Sequence, residues 1–323
     1  MKQKIILLLS ATLLCSSAWA GEKAVVAVSQ IVEHPALDAC RLGLLTGLKD
    51  AGYVKGENLE FKFQTAQGNP ATATQIAKQF VGESPDVLVG IATPTAQALA
   101  AATKEIPIVF SAVTDPVGAK LLDDMQNPGG NVTGLSDLSP VAQHIDTMRD
   151  ILPGLKTIGV VYNPGEANSV SLVELLKKEA AMRSLQVIEG TATRTSEVQT
   201  ATQAVAPRVD IIYGITDNTV ASAIAALIDV ANTAKTPVFG AATPYVESGA
   251  IASIGFDYYQ VGYQTADYVV KILQGAKPSE LPVKVAKGTD IVVNPKAAEK
   301  LGITLPKLLI HSASRVVQLS CLL

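Results

Sequence analysis

Two short polar clusters carry residue types that could do chemistry, and they occupy matching places in the chain. Thr93-Pro94-Thr95 follows the apolar run 86–92, and Thr216-Asp217-Asn218-Thr219 follows the apolar run 210–215. An Ala-rich helical pattern comes next in each case. Thr93 or Thr95 is expected to cap its helix, leaving the backbone N–H groups of Thr95 and Ala96 free to hold a carboxylate or phosphate. Asp217 puts an acid at the equivalent point, where it can receive an ammonium ion or serve simply as an N-cap. Donors on one side and a carboxylate on the other are the complement of a zwitterion.

Further polar residues follow other strand-like runs. Ser29, Gln30 and Glu33 come after the first, Ser111, Thr114 and Asp115 after the fourth, and Asn163, Glu166, Asn168 and Ser169 after 156–162. Such residues are common in any turn, so their weight lies in convergence at one sheet end. Asp257 and Tyr258 fall where the chain is expected to cross between halves, and either a hinge or a ligand contact fits them. Phe110, Tyr162 and Tyr245 could stack on a ring, although an aromatic near a strand end is more often core.

Catalytic readings find no support. His34, His144 and His311 are far apart, with no carboxylate or Cys at ligand spacing. GxSxG, GxxxxGK[ST] and post-strand GxGxxG motifs are absent. No metal or cofactor is expected, and His34 is read as solvated or at a cleft edge.

The elements that must position these residues repeat. KAVVAVSQ (23–30) matches KTIGVVYN (156–163), and IPIVFSAVTDP (106–116) matches TPVFGAATPYV (236–246). Strand-like and helical patterns alternate, which implies right-handed crossovers and parallel sheets. The expected fold is α/β, with two doubly wound parallel-sheet lobes joined by three crossing segments. Lobe 1 takes 21–135 plus about 259–285, and lobe 2 takes 136–258 plus about 286–306. Ligands bind beyond the carboxyl ends of strands in open α/β sheets, so two facing sheets make a cleft. The stretch 307–323 lacks caps or periodicity and reads as a disordered or weakly docked tail, or as the product of an altered reading frame.

Residues 1–20 have the parts of a secretory signal: Lys2 and Lys4, an apolar stretch, and Ala18-Trp19-Ala20 before the cut. Cys15 raises a lipid-anchor alternative, but the large Leu14 before it disfavours that. Cleavage after Ala20 removes two lysines and leaves 24 basic against 29 acidic residues, a net charge of −5. That balance argues against nucleic acid or anionic membrane as partner. Only Cys40 and Cys321 would remain, too few for a disulfide framework even in the periplasm. A soluble monomer is expected.

The strings SQIVEHPALD, ATPTAQAL, PIVFSAVTDPVGAKLL, NPGGNVTG and YNPGEANS together resemble the tryptophan/tyrosine-type substrate-binding proteins of bacterial ABC transporters. The resemblance runs from about Ala24 to Pro306. It implies a periplasmic-binding fold closing over a small ligand, an aromatic amino acid in some members, and delivery to an inner-membrane ABC permease. It further implies that the turn 93–96 and Ser111 face the ligand carboxylate, and that the 163–169 loop, Asp217 and Asp257 face its other groups. Three rivals stay open: a clamp for a sugar or nucleoside, a clamp feeding a chemoreceptor or sensor kinase, and an exported α/β enzyme acting on a small anion or sugar.

Overall fold

A computed structural model describes residues 23–317, so the expected signal segment, Cys15 and Cys321 lie outside the described residues. The chain opens with β1 (Ala24–Gln30), α1 (Pro35–Asp50), β2 (Leu59–Thr65), α2 (Pro70–Gly82), β3 (Val87–Ile91), α3 (Thr93–Ala102), β4 (Ile108–Val113) and β5 (Val132–Ser136). It then crosses into α4 (Val141–Ile151), β6 (Thr157–Tyr162), α5 (Ala167–Ala181), β7 (Gln186–Thr191), α6 (Thr195–Val205) and β8 (Ile211–Gly214). There follow α7 (Asn218–Ala221), α8 (Ile224–Thr233), β9 (Val238–Gly240), α9 (Pro244–Glu247) and β10 (Ala252–Gly255). The last elements are α10 (Tyr258–Leu273), β11 (Lys284–Val285), β12 (Asp290–Val293), α11 (Pro295–Lys300), α12 (Lys307–His311) and β13 (Arg315–Val316).

The first sheet has the order β2-β1-β3-β4-β5-β11, every pair parallel. The second has the order β7-β6-β8-β9-β10-β12-β13, parallel except for the β10–β12 pair. The central strands β3, β4 and β5 are buried along their whole length, as expected where helices cover both faces of a parallel sheet. The edge strand β2 shows instead the alternation of a half-covered edge at its start: Leu59 and Phe61 are buried and Glu60 is exposed.

The chain passes between the sheets three times, after β5, after β10 and between β11 and β12. The second passage delivers α10 onto α1. Glycines permit that packing: a Cβ at Gly43 would collide with the Tyr259 carbonyl, and one at Gly262 with the Cys40 carbonyl. Two helix backbones therefore touch, which sets the first turns of α10 against the middle of α1.

The C-terminal stretch departs from expectation. Residues 307–316 form α12 and β13, and β13 pairs with β12 through Val292–Arg315 and Val293–Val316. Leu309, Ile310 and Ala313 pack on buried apolar residues of the second sheet and its helices, and Arg315 forms an ion pair with Glu247. The segment lacks a strong periodic signal because an edge strand of two residues and a five-residue helix are too short to carry one.

Candidate ligand cleft

Loops that leave the carboxyl ends of strands in both sheets enclose a small cavity of about 30 Å³. His34 comes from the β1–α1 connection and Ala36 and Leu37 from the first turn of α1, Ala92 and Thr93 follow β3, and Ala112 and Thr114 lie at the end of β4. The second sheet contributes Asn168 after β6, Thr216, Asp217, Asn218 and Ala221 after β8, and Ala242 and Tyr245 after β9. Asp137 and Tyr258, on the first and second passages between sheets, complete the wall. Two carboxylates line this space, and no Lys or Arg does.

The backbone here is strained. Ala92 has φ 75° and ψ 157°, a region occupied almost only by glycine, and Ala112 has φ 55°. Ala92 is held there by its N–H bond to the Ser111 carbonyl. The distortion turns the chain sharply from β3 into α3. The first turns of α1, α3, α5 and α10 all supply wall residues, so positive dipole ends converge on the cavity.

Asp217 is the N-cap of α7. Its Oδ1 accepts the Val220 N–H at 2.7 Å, and its Oδ2 accepts the Asn163 N–H at 2.7 Å and the Ser169 hydroxyl at 2.6 Å. Burial, then the charge of Glu166, push its pKa above the usual carboxylate range, against the pull of those hydrogen bonds. Asp137 accepts the Thr114 hydroxyl at 3.1 Å and the Tyr258 hydroxyl at 2.8 Å. Burial raises its pKa too, and the Tyr258 and Thr114 bonds oppose that. The Tyr258 phenol is driven well above its ordinary value, chiefly by burial and then by Asp137, so it stays a donor. Burial lowers His34 to about 4, overriding the influence of the nearby Asn218 amide and the Asp38 charge, so its imidazole is neutral.

Four buried polar atoms on the wall have no partner: His34 Nε2, Thr93 Oγ1, Asn168 Oδ1 and Thr216 Oγ1. A buried group without a hydrogen bond costs about 1–3 kcal/mol, which a polar ligand would recover. Asn168 cannot turn to relieve itself. Its amide nitrogen is already engaged by the Thr216 carbonyl at 3.0 Å and lies 3.3 Å from both Glu166 and Ser169.

Of the residues expected at the site, Thr93, Thr114, Asn168 and Asp217 reach this wall. Ser169 lies behind Asp217 as its hydrogen-bond donor. Asn163 and Glu166 border instead a second, larger depression of about 800 Å³ that also receives residues of both halves, with Asn218 shared between the two. Glu166 accepts the Asn218 and Thr219 N–H groups and the Thr219 hydroxyl, so its carboxylate braces α7.

The remaining expected residues turn away. Ser29 and Gln30 are buried inside β1, and the Gln30 amide donates to Val32 and Asp38. Ser111 points into the core, 2.7 Å from Thr265 Oγ1 and 3.1 Å from Cys40 Sγ. Cys40 of α1 therefore touches β4, and burial pushes its thiol up to about 12. Asp257 is exposed and caps α10 through the Gln260 N–H.

The expected capping of α3 is also corrected. Ala92 is the N-cap, with no side-chain cap, and Thr95 donates its hydroxyl back to the Ile91 and Ala92 carbonyls. The Ala96 N–H is bonded to the Ala92 carbonyl, so it is not free for a ligand. The strained turn at Ala92 closes the helix one residue earlier than a Thr cap would.

Asp137 and Asn218 were not singled out by sequence reasoning. Asp137 directly follows the strand VTGLS, so the rule that ligands meet strand ends already covered it. Asn218 adjoins Asp217 within the cluster noted at the outset.

Comparison with known proteins agrees with this geometry. The model of the ABC transporter substrate binding protein family matches residues 25–317, which includes the docked C-terminal segment. A tyrosine-binding protein of Clostridioides difficile is 37% identical over 269 residues, covering 83% of this chain and 78% of that protein. A solved conserved domain protein of Vibrio cholerae is 66% identical with a TM-score of 0.91, covering 92% of this chain and 100% of that one. A Streptococcus pneumoniae structure in complex with L-Trp is 37% identical with a TM-score of 0.89, at the same coverage. The ligand-free, open structure of a Clostridium difficile substrate binding protein is 38% identical, covers 91% of this chain and 99% of that one, and gives only 0.69. At nearly equal identity, the chain superposes better on the structure in complex with L-Trp than on the ligand-free, open one.

Proposed function

The chain belongs to the ABC transporter substrate binding protein family, and we propose that it is an exported, periplasmic clamp that closes over an aromatic amino acid and presents it to an inner-membrane permease. The observation that carries this reading is the cavity itself. Both halves wall it, it holds two buried acids and no Lys or Arg, and orphaned polar atoms stand around an apolar lining. An ammonium group suits such a wall. A carboxylate suits the converging helix ends and the Thr93 hydroxyl. Leu37, Ala36, Ala221 and Tyr245 give the rest of the ligand an apolar surface. The C. difficile relative named for tyrosine and the pneumococcal complex with L-Trp support an aromatic side chain.

Transport follows from the architecture. Ligand that touches both halves binds the closed arrangement more tightly than the open one and shifts the population towards it. Hydrogen bonding between halves adds to closure: Ser171 of α5 donates to Asp115, beyond β4, at 3.0 Å. The permease then reads the closed form. Residues 1–20 serve as the export signal in this reading.

A thermal-shift screen of the mature protein against amino acids, sugars and nucleosides tests it. A ligand at 100 times its Kd adds about 2.7 kcal/mol of stability. A rise confined to tryptophan, tyrosine or phenylalanine supports the reading. A rise with a sugar or nucleoside and with no amino acid sinks it.

A further inference from the structure

The two carboxylates on the cavity wall differ in how much accepting capacity remains free. An ionised carboxylate has about four acceptor sites. Asp217 has three donors, from Val220, Asn163 and Ser169, and two of these are backbone N–H groups that fix α7 and the turn after β6. Its charge is already committed to the scaffold. Asp137 accepts two neutral hydroxyls, those of Thr114 and Tyr258, with its own backbone N–H close by, and both hydroxyl residues are themselves on the wall. It is 3% exposed. A buried acid with open acceptor sites and no counter-charge is an incomplete arrangement.

Resting on the amino-acid reading above, we propose that Asp137 is the group that receives the ligand's ammonium ion, and that Asp217 holds the wall in shape. The position of Asp137 gives this a consequence for closure. Asp137 lies between β5 and α4, on the first passage between the sheets, and its partner Tyr258 opens α10 directly after the second. An ammonium ion seated there is gripped by the connecting segments, which must change conformation when the halves separate. Recognition of the charged end of the ligand and closure of the clamp are thereby placed on the same residues. Thr114, at the end of β4, ties that pair to the first sheet.

The test compares amino acids with analogues that lack only the ammonium group. Affinities are measured by calorimetry for L-tryptophan and L-tyrosine, and for indole-3-propionate and 3-(4-hydroxyphenyl)propionate. Wild type should prefer each amino acid by at least about 30-fold, the size expected for a buried charge pair. Asp137→Asn should bring that preference to within about threefold, near parity on the affinity scale. Asp217→Asn should weaken amino acid and analogue together. Tyr258→Phe, which removes one hydroxyl from Asp137, should reduce the preference in part. A preference retained in Asp137→Asn overturns the assignment, as does one that collapses only in Asp217→Asn. If Asp137→Asn fails to fold, an unchanged preference in Tyr258→Phe overturns it instead. Wild type that binds neither amino acid refutes the amino-acid reading itself, and the assignment falls with it.

Discussion

Asp217→Asn separates scaffold from ligand contact, because its cost can be worked bond by bond. The Asn oxygen can keep the Val220 N–H that Oδ1 now accepts, so the cap of α7 survives. The new amide nitrogen must then face the Asn163 N–H, donor against donor, where Oδ2 accepts at 2.7 Å. The Ser169 hydroxyl can rotate to accept instead of donating. One buried N–H is left unpaired, at about 1–3 kcal/mol. Against this, the variant removes an acid that burial and Glu166 disfavour in its ionised form. The net expectation is a loss of roughly 1–2 kcal/mol at neutral pH, a fall of about 2–6 °C in Tm without ligand. Because the folded-state pKa of Asp217 is raised, its contribution to stability is full below the ordinary carboxylate value of about 3.9 and is lost as pH rises through the folded value. The variant lacks that dependence, so its deficit against wild type should narrow from pH 4 to pH 8. Scanning calorimetry at several pH values reads both quantities. A variant that melts with wild type at every pH refutes the scaffold role.

Three other outcomes follow. Gly262→Leu should destabilise the protein by about 3 kcal/mol or more, since α10 would be forced off the Cys40 carbonyl; urea melts with an unchanged midpoint would contradict the α1–α10 contact. Cys40 should resist a thiol reagent in the native protein at pH 8 and react on unfolding, its thiol being buried and raised to about 12; rapid native labelling would show that α1 opens. Amino-acid affinity should fall as pH falls. The free protein holds the proton of Asp137 more tightly than an ammonium complex would, so acid favours the free form; binding that strengthens towards pH 5 argues against an ammonium–carboxylate contact.

Much of the fold was legible because its signals are local. Buried parallel strands read as short apolar runs, and the Gly and Pro residues between them mark the turns. The C-terminal helix and edge strand were not, because elements of five and two residues have no period to detect. At the site, the order of elements was enough to bring Thr93, Thr114, Asn168 and Asp217 to one cavity wall. It could not tell which residues near a strand end turn inward. Ser111 and Ser29 lie within strands, where side chains alternate faces, and theirs are buried. Asn163 and Glu166 carry the right chemistry, but their polar groups are used up in bracing α7 and its neighbouring turn. The pairing of Asp137 with Tyr258 spans 121 residues of sequence, so only the folded chain reveals it.

The most direct measurement of the central claim is a crystal structure of the mature protein grown with L-tryptophan or L-tyrosine. The account predicts one amino acid enclosed between the halves, within hydrogen-bond distance of Thr93 on one side and Asn168 on the other, with its ammonium nitrogen on Asp137. A ligand bound in the larger outer depression, or held by one half alone, would contradict it.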